Sequence, residues 1–342
     1  MRFNYSVVRN FRNFSINKNP ELKIKWDPGI NLILGSNGSG KTNLLESLSI
    51  LSGWGAFSKT SNLISWDNNE NFRAFVGAEV SGEENFNVSA TISSKISLRL
   101  NDKMISFTDL RLILPSIIFL TSNANLIDGS PSVRRLFIDR LCALFFPPYA
   151  KMLSDFKYIT KTRTILLRQN RSADRTTIPY CKLGGWIMDR RREVVEMLKS
   201  LMPQKKFTLD FQPSIKISSE EYLLDEIQRN YKRELQIQRP LCGANFDDLV
   251  ITLSENNKPA SISLSRGQKR RLILYLIITS GKLIAMKLKR EPILLLDDFT
   301  AELDKENREL TYKELVKTKW QVFLTAPEKP FATRKNFGGI KF

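Results

Sequence analysis

The sequence predicts an α/β fold: a nucleotide-binding sheet whose two halves flank a mainly helical insertion. Three observations predict it. An apolar strand turns through a glycine-rich loop into a helix at residues 31–45. A fully apolar strand at 293–296 ends in Asp297 and Asp298, and the stretch between carries apolar residues at helical spacing. With 342 residues, 42% of them hydrophobic, the chain can bury the core of one large or two moderate domains.

In chain order, residues 5–8 and 22–26 read as short strands that lead to the strand at 30–34, with a turn at 10–13 between them. A helix from 41 ends near Gly53, and a polar loop follows to about 71. Period-two alternation then marks strands at 72–80, 86–93 and 96–100, and a turn at 101–103 leads to a fourth at 104–107. A buried strand at 117–120 returns to the core sheet. From Pro131 the pattern becomes helical, with Val133, Leu136, Phe137, Leu141 and Leu144 on one face. Further helices are expected at 149–170 and 185–202, separated by the polar segment 171–177. A strand at 207–217, a helix at 220–236 and a strand at 249–253 follow. A long helix runs from 264 to about 289, a polar helix follows Asp304, a strand occupies 321–324, and the basic tail shows little pattern. The expected division is 1–125, an inserted helical lobe at 126–240, and a return at 241–342.

The loop Gly35-Ser36-Asn37-Gly38-Ser39-Gly40-Lys41-Thr42, followed by Asn43, fits G-x-x-x-x-G-K-[ST]. Such a loop places backbone N–H groups and a helix N-terminus around an anion. Gly38 and Gly40 let the backbone take positive φ, Lys41 reaches the β and γ phosphates, and the Thr42 hydroxyl can ligate Mg²⁺. The four fixed positions would match by accident somewhere in a chain of this length with odds of roughly one in a hundred.

Asp297 and Asp298 sit where a buried parallel strand delivers carboxylates to its C-terminal end. Asp297 would hold the metal, and Asp298 would orient or deprotonate the attacking water. The segment Ser265-Arg266-Gly267-Gln268 offers a hydroxyl, a glycine and a helix start but no lysine. It reads either as an ordinary helix cap or as the half of a site completed by another subunit, where Ser265 and the Gly267 N–H would reach a γ-phosphate.

Composition narrows the chemistry. The chain has no histidine, which removes histidine-based triads and histidine-bearing zinc sites. Cys142, Cys181 and Cys242 lie far apart and read as core residues. No apolar run approaches the ~20 residues needed to span a bilayer, and the N-terminus lacks a signal-peptide pattern, so the expected compartment is the cytoplasm. The formal charge is +18, and residues 149–206 carry 14 Lys or Arg against 5 Asp or Glu. A basic nucleotide-binding protein most often meets nucleic acid, and the triplet Arg190, Arg191 and Arg192 is the densest candidate for DNA contact.

Taken together the motifs resemble the ABC-type ATPases and, among them, the RecF family. The resemblance rests on Asn10-Phe-Arg-Asn-Phe14, the glycine-rich loop, Gly129-Ser-Pro131, Arg134-Arg135, Phe137-Ile-Asp-Arg140, Leu264 to Gln268, Leu294 to Asp298 and Glu302-Leu-Asp304. It implies an SMC-like head with a short helical second lobe, a weak Mg²⁺-dependent ATPase, and a homodimer formed on ATP. It also implies binding to double-stranded or gapped DNA, cooperation with RecR and RecO in recombinational and replication-gap repair, and no membrane partner. Asn10 to Asn13, with Arg12 and Asn13 among them, would lie near the base, and Asp304 in a loop that communicates between two ATP sites. Two segments depart from the family pattern, 122–124 and 244–246. An ABC-head nuclease would need a carboxylate-rich domain after the head, and a transporter subunit is disfavoured by Arg266 and the missing histidine.

Overall fold

Period-two alternation produces the first sheet. In the computed structural model, which describes all residues except 16–20, 66–72, 83, 122–124, 203–205, 217–218, 302 and 332–337, six strands pair antiparallel. They are β1 (Arg2–Arg9), β2 (Leu22–Lys25), β4 (Ala74–Ser81), β5 (Phe86–Ile92), β6 (Ile96–Leu100) and β7 (Lys103–Ile105), in the order β2-β1-β4-β5-β6-β7. The second sheet is all parallel. It comprises β3 (Ile30–Leu34), β8 (Ser116–Phe119), β11 (Ile293–Leu296), β12 (Val322–Ala326) and β13 (Gly338–Lys341), ordered β13-β3-β12-β11-β8. Every residue of β8, β11 and β12 is buried, as expected of parallel strands covered on both faces.

The chain divides into two units, residues 1–124 with 265–342, and residues 125–264. The first holds both sheets with α1 (Lys41–Leu51), the short α2 (Phe107–Ile113), α8 (Arg266–Leu288) and α9 (Lys305–Thr318). One core joins Leu44, Leu45 and Leu48 of α1 to Val8, Val76 and Val88 of the antiparallel sheet and Ile33, Leu295 and Phe323 of the parallel one. Within it Trp26 meets the Phe323 ring edge-on at 5.0 Å. The expected strand start at residue 72 and the departure at 122–124 lie outside the described residues, as does Glu302.

The second unit contains α3 (Pro131–Phe145), α4 (Tyr149–Arg168), α5 (Asp174–Leu201), α6 (Glu220–Ile237), the four-residue α7 (Ala260–Ser263), and a ribbon of β9 (Phe207–Gln212) and β10 (Asp248–Leu253). Asp248 to Leu253 pair antiparallel with Gln212 to Phe207, which ties β10 to this unit. The expected return at residue 241 is therefore corrected to Ser265.

Three further expectations change. The helix expected from residue 185 begins at Asp174 and runs through Pro179. Pro179, Gly184 and Gly185 weaken the helical signal in the sequence, yet close packing favours glycine at both positions. A Cβ on Gly184 would stand 3.1 Å from Leu223 and 3.2 Å from Phe156, and one on Gly185 would stand 3.0 Å from the Glu220 nitrogen. The strand expected to reach residue 107 stops at Ile105, because Ser106 caps α2 by accepting from the Asp109 N–H. The tail supplies β13, parallel to β3.

Buried ion pairs organise the second unit. Arg163 and Glu234 are both fully buried, joined at 2.6 Å, and Glu234 also accepts from the Leu241 N–H. Arg191 donates to both oxygens of Asp139 at 2.8 and 3.1 Å and to Asp247 at 2.9 Å. Burial opposes the Arg191 charge, but Asp139 and its neighbours outweigh it and raise the pKa. Burial also pushes the Asp247 carboxyl up to about 6, against the pull of Arg191. All three cysteines are buried and free, and burial raises the Cys181 and Cys242 thiols to about 12, in line with their reading as core residues.

Candidate functional site: a phosphate cradle and its carboxylates

β3 is buried through Ile33 and hands the chain to the glycine-rich loop at the C-terminal edge of the parallel sheet. Gly38 and Gly40 take φ of 81° and 106°, which L side chains rarely adopt. Gly40 is demanded twice over, because a Cβ there would lie 2.4 Å from Asn13 Nδ2. That amide donates to the Ser39 carbonyl at 3.0 Å and its oxygen accepts from Asn43 at 2.8 Å, so Asn13 pins the loop to the first turn of α1. Arg12 sits one step back. Its Nε donates to Glu46 on α1 at 2.8 Å and Nη2 to Ser58. Exposed Asn13 therefore braces the cradle, and Arg12 braces α1 beside it. Glu46, buried among leucines, is a member that motif reading missed; a lone acid on an apolar helix face was its signal.

Lys41 Nζ donates to the carbonyls of Gly35 and Ser36 at 2.8 and 2.9 Å. An ammonium has three donors, so one remains for an anion at the exposed loop tip formed by Ser36, Asn37 and Gly38. Ser39 Oγ is buried without a hydrogen-bond partner, 2.5 Å from where a Gly35 Cβ would stand. An unpaired hydroxyl and a side-chain-free wall are what a cradle for phosphate oxygens requires.

The strand order β3-β12-β11 brings the carboxylates to this loop. Asp297 is 6% exposed and accepts from Thr42 Oγ1 at 3.0 and 3.2 Å, from Thr325 Oγ1 at 2.7 Å, and more distantly from Thr121 at 3.4 Å. Thr325, wholly buried on β12, also accepts the Asp298 N–H at 2.8 Å. One hydroxyl thus links both aspartates. Asp298 adopts φ of 49°, a left-handed backbone that Asp enters more readily than most residues.

The Thr42 hydroxyl and the Asp297 carboxylate supply two hard oxygen donors side by side. Among the described residues no group of three or more His, Cys, Asp or Glu forms an all-protein cage. Two protein oxygens plus phosphate and water is the donor set that Mg²⁺ prefers, so the residues present fit that ion.

Ser265 caps α8 in a reciprocal box: its hydroxyl accepts from the Gln268 N–H, and Gln268 Oε1 accepts from the Ser265 N–H at 2.8 Å. Ser265 thus caps its own helix, and Ser265, Arg266 and Gln268 all remain exposed. Gly267 lies against the start of α9, where Asn307 donates to both oxygens of Asp304. The Asn307 N–H and amide hold the Asp304 carboxyl below its usual range. No hydrogen bond or ion pair among the described residues links 265–268 to the cradle.

The arginine triplet is not one surface. Arg191 is 3% exposed and committed to Asp139 and Asp247, which removes it as a DNA contact. Arg190 and Arg192 are partly exposed, and each pairs with an acid on its own helix, Glu193 and Asp189.

A parallel sheet bearing this loop and these aspartates, with an antiparallel sheet in the same unit, defines an ABC-type ATPase head of the SMC kind. The family model described as the RecF/RecN/SMC N-terminal domain matches residues 4–338. The chain is 30% identical to the DNA replication and repair protein RecF of Leptospira interrogans serovar copenhageni, over 96% of this chain and 92% of that protein. It is 27% identical to the protein of the same name from Streptococcus pneumoniae strain CGSP14, over 93% and 90%. A solved structure of the recombination mediator RecF with ATPrS shares the fold, with a TM-score of 0.83, 22% identity and coverage of 96% and 93%. The chain belongs to the RecF family of DNA replication and repair proteins.

Proposed function

We propose that this protein is an ATP-gated, DNA-binding clamp of RecF type that serves recombinational and replication-gap repair. The observation that carries the reading is the convergence of Lys41, Thr42, Asp297 and Asp298 at one edge of the parallel sheet. Lys41 and the loop N–H groups would grip the β and γ phosphates of ATP, Thr42 and Asp297 would hold Mg²⁺, and Asp298 would orient the attacking water. Bound Mg²⁺ neutralises charge on the phosphate oxygens. Asp298 is a short side chain on a constrained backbone, so turnover is expected to be slow.

Ser265 and Gly267 have no cradle of their own. They suit the other half of a composite site, in which ATP held by one subunit is contacted by the start of α8 from a second copy. ATP would then join two protomers, and hydrolysis would time their release from DNA. Double-stranded or gapped DNA and RecR- and RecO-type proteins are the partners this reading assigns, in the cytoplasm. Among the described residues no helix is long and apolar enough to cross a membrane.

Sedimentation and ATPase assays with and without gapped duplex DNA test the reading. The expected result is a dimer only with ATP and slow hydrolysis that responds to DNA, both lost in Lys41→Ala. A wild-type chain that stays monomeric with ATP and ignores DNA would refute it.

A further inference from the structure

We propose that the exposed basic stripe of α4, formed by Lys157, Lys161 and Arg168, is the duplex-DNA docking surface of the second unit, in place of the 190–192 triplet. The proposal rests on the reading of the protein as DNA-binding and adds where the duplex docks.

The inner side of α4 is set by the buried Phe156, Arg163 and Leu167. Lys157, Lys161 and Arg168 are exposed and, at 3.6 residues per turn, fall within roughly 40° of one another around the axis. On α5 the inner side is set by Tyr180, Gly184, Ile187 and Arg191. Arg175, Ile178 and Lys182 lie on the opposite side, all exposed, within roughly 60°, and so point away from α4, against which Tyr180 and Gly184 pack. Arg163 reaching Thr177 at 2.7 Å and Phe156 stacking on Tyr180 at 4.9 Å show that the helices run antiparallel, with exposed Arg171 at their junction.

Six exposed cations thus decorate one hairpin. Between residues 157 and 182 the chain has seven Lys or Arg, of which only Arg163 is buried, against the single acid Asp174. None of Lys157, Lys161, Arg168, Arg171, Arg175 and Lys182 forms an ion pair among the described residues. By contrast, Arg190, Arg191 and Arg192 all do.

Part of their placement works against the isolated fold. Lys157 and Lys161 repel each other at i,i+4, and Arg175 stands in the first turn of α5, where the helix dipole disfavours a cation. A charge pattern that costs local stability and finds no ion-pair partner among the described residues fits an external polyanion. Along α4 the bases span roughly 16 Å, over which a duplex presents on the order of ten phosphate charges.

The test is fluorescence anisotropy of the full chain on a labelled duplex across a salt series. Two surface variants are compared, Lys157→Gln/Lys161→Gln/Arg168→Gln on α4 and Arg175→Gln/Lys182→Gln on α5, with Arg190→Gln/Arg192→Gln as the reference. Neutralising one phosphate-binding side chain lowers the slope of log affinity against log salt by about 0.9. The α4 variant should therefore lose about 2 to 3 from the slope and bind about tenfold or more weakly, and the α5 variant, whose bases point away from α4, should lose less than about 1. The reference should stay within about twofold of wild type. An unchanged slope in the α4 variant would overturn the proposal, as would an α5 or reference variant that weakens binding as much. So would wild type preferring phosphatidylglycerol vesicles to duplex, with the α4 variant losing only the vesicles. A wild-type chain that binds no DNA at any salt would instead refute the DNA-binding reading beneath it.

Discussion

The Thr325 hydroxyl donates to Asp297 and accepts from the Asp298 N–H, so replacing it with valine removes both bonds and keeps the shape. Asp297 would lose a partner that fixes its orientation toward Thr42, and the partly buried Asp298 N–H would lose this acceptor, at a cost of about 1 kcal/mol. Asp298 would then be free to leave its left-handed conformation, and the water-orienting carboxyl would move with it. Thr325→Val is accordingly expected to lower kcat about tenfold or more and to raise the Mg²⁺ concentration for half-maximal ATPase activity. Thr325→Ser should restore both. A merely structural residue would shift the melting midpoint without moving the Mg²⁺ dependence, so titrating Mg²⁺ in the two variants separates the roles. The backbone at Asp298 also gives a physical reason for aspartate at this position, since Asp enters the left-handed region more readily than most residues.

At the scale of elements, the second unit relies on buried charge. Arg163 on α4 holds Glu234 on α6 with neither side chain exposed, and Arg163 also donates to Thr177 on α5. Removing one member leaves the other charged in a dry interior, at about 3–5 kcal/mol. Arg163→Met should therefore lower the denaturation midpoint markedly, while Arg163→Met with Glu234→Leu should recover much of the loss. Chemical denaturation of the single and double variants measures the difference; an additive double variant would show that the pair is not coupled. Such pairs also mark the limit of what the sequence made legible. The glycine-rich loop, the strand into Asp297 and the antiparallel strands were readable because their signals are local: a fixed spacing, an unbroken apolar run, a period of two. The start of α5 was not, because Pro179 and the two glycines contradict a helix that only packing against α4 and α6 maintains. Strand β13 carries too few apolar residues to announce itself, and its pairing with β3 is set by a distant partner. Arg191 looked like the centre of a basic triplet, since sequence spacing shows charge but not that Asp139 and Asp247 converge on it from 52 and 56 residues away.

For the whole molecule, the question is whether the start of α8 serves a second subunit. Ser265 already caps its own helix, so a substitution that disrupts dimers could do so by fraying α8. Aspartate and asparagine cap as well as serine does, which separates the two effects. Both Ser265→Asp and Ser265→Asn should keep the melting midpoint of wild type. Only the aspartate brings a negative charge to the place where the γ-phosphate of a facing subunit would lie, and like charges brought together at a desolvated interface cost several kcal/mol. Ser265→Asp is therefore expected to bind a fluorescent ATP analogue with wild-type affinity as a monomer, yet fail to dimerise in sedimentation with ATP. Ser265→Asn should dimerise. Asp298→Asn, which leaves both halves intact but removes the carboxylate that would orient water, should give a dimer that persists on DNA instead of dissociating. If Ser265→Asp dimerised with ATP as wild type does, α8 would not contribute to the partner's site, and ATP would have to act within a single chain.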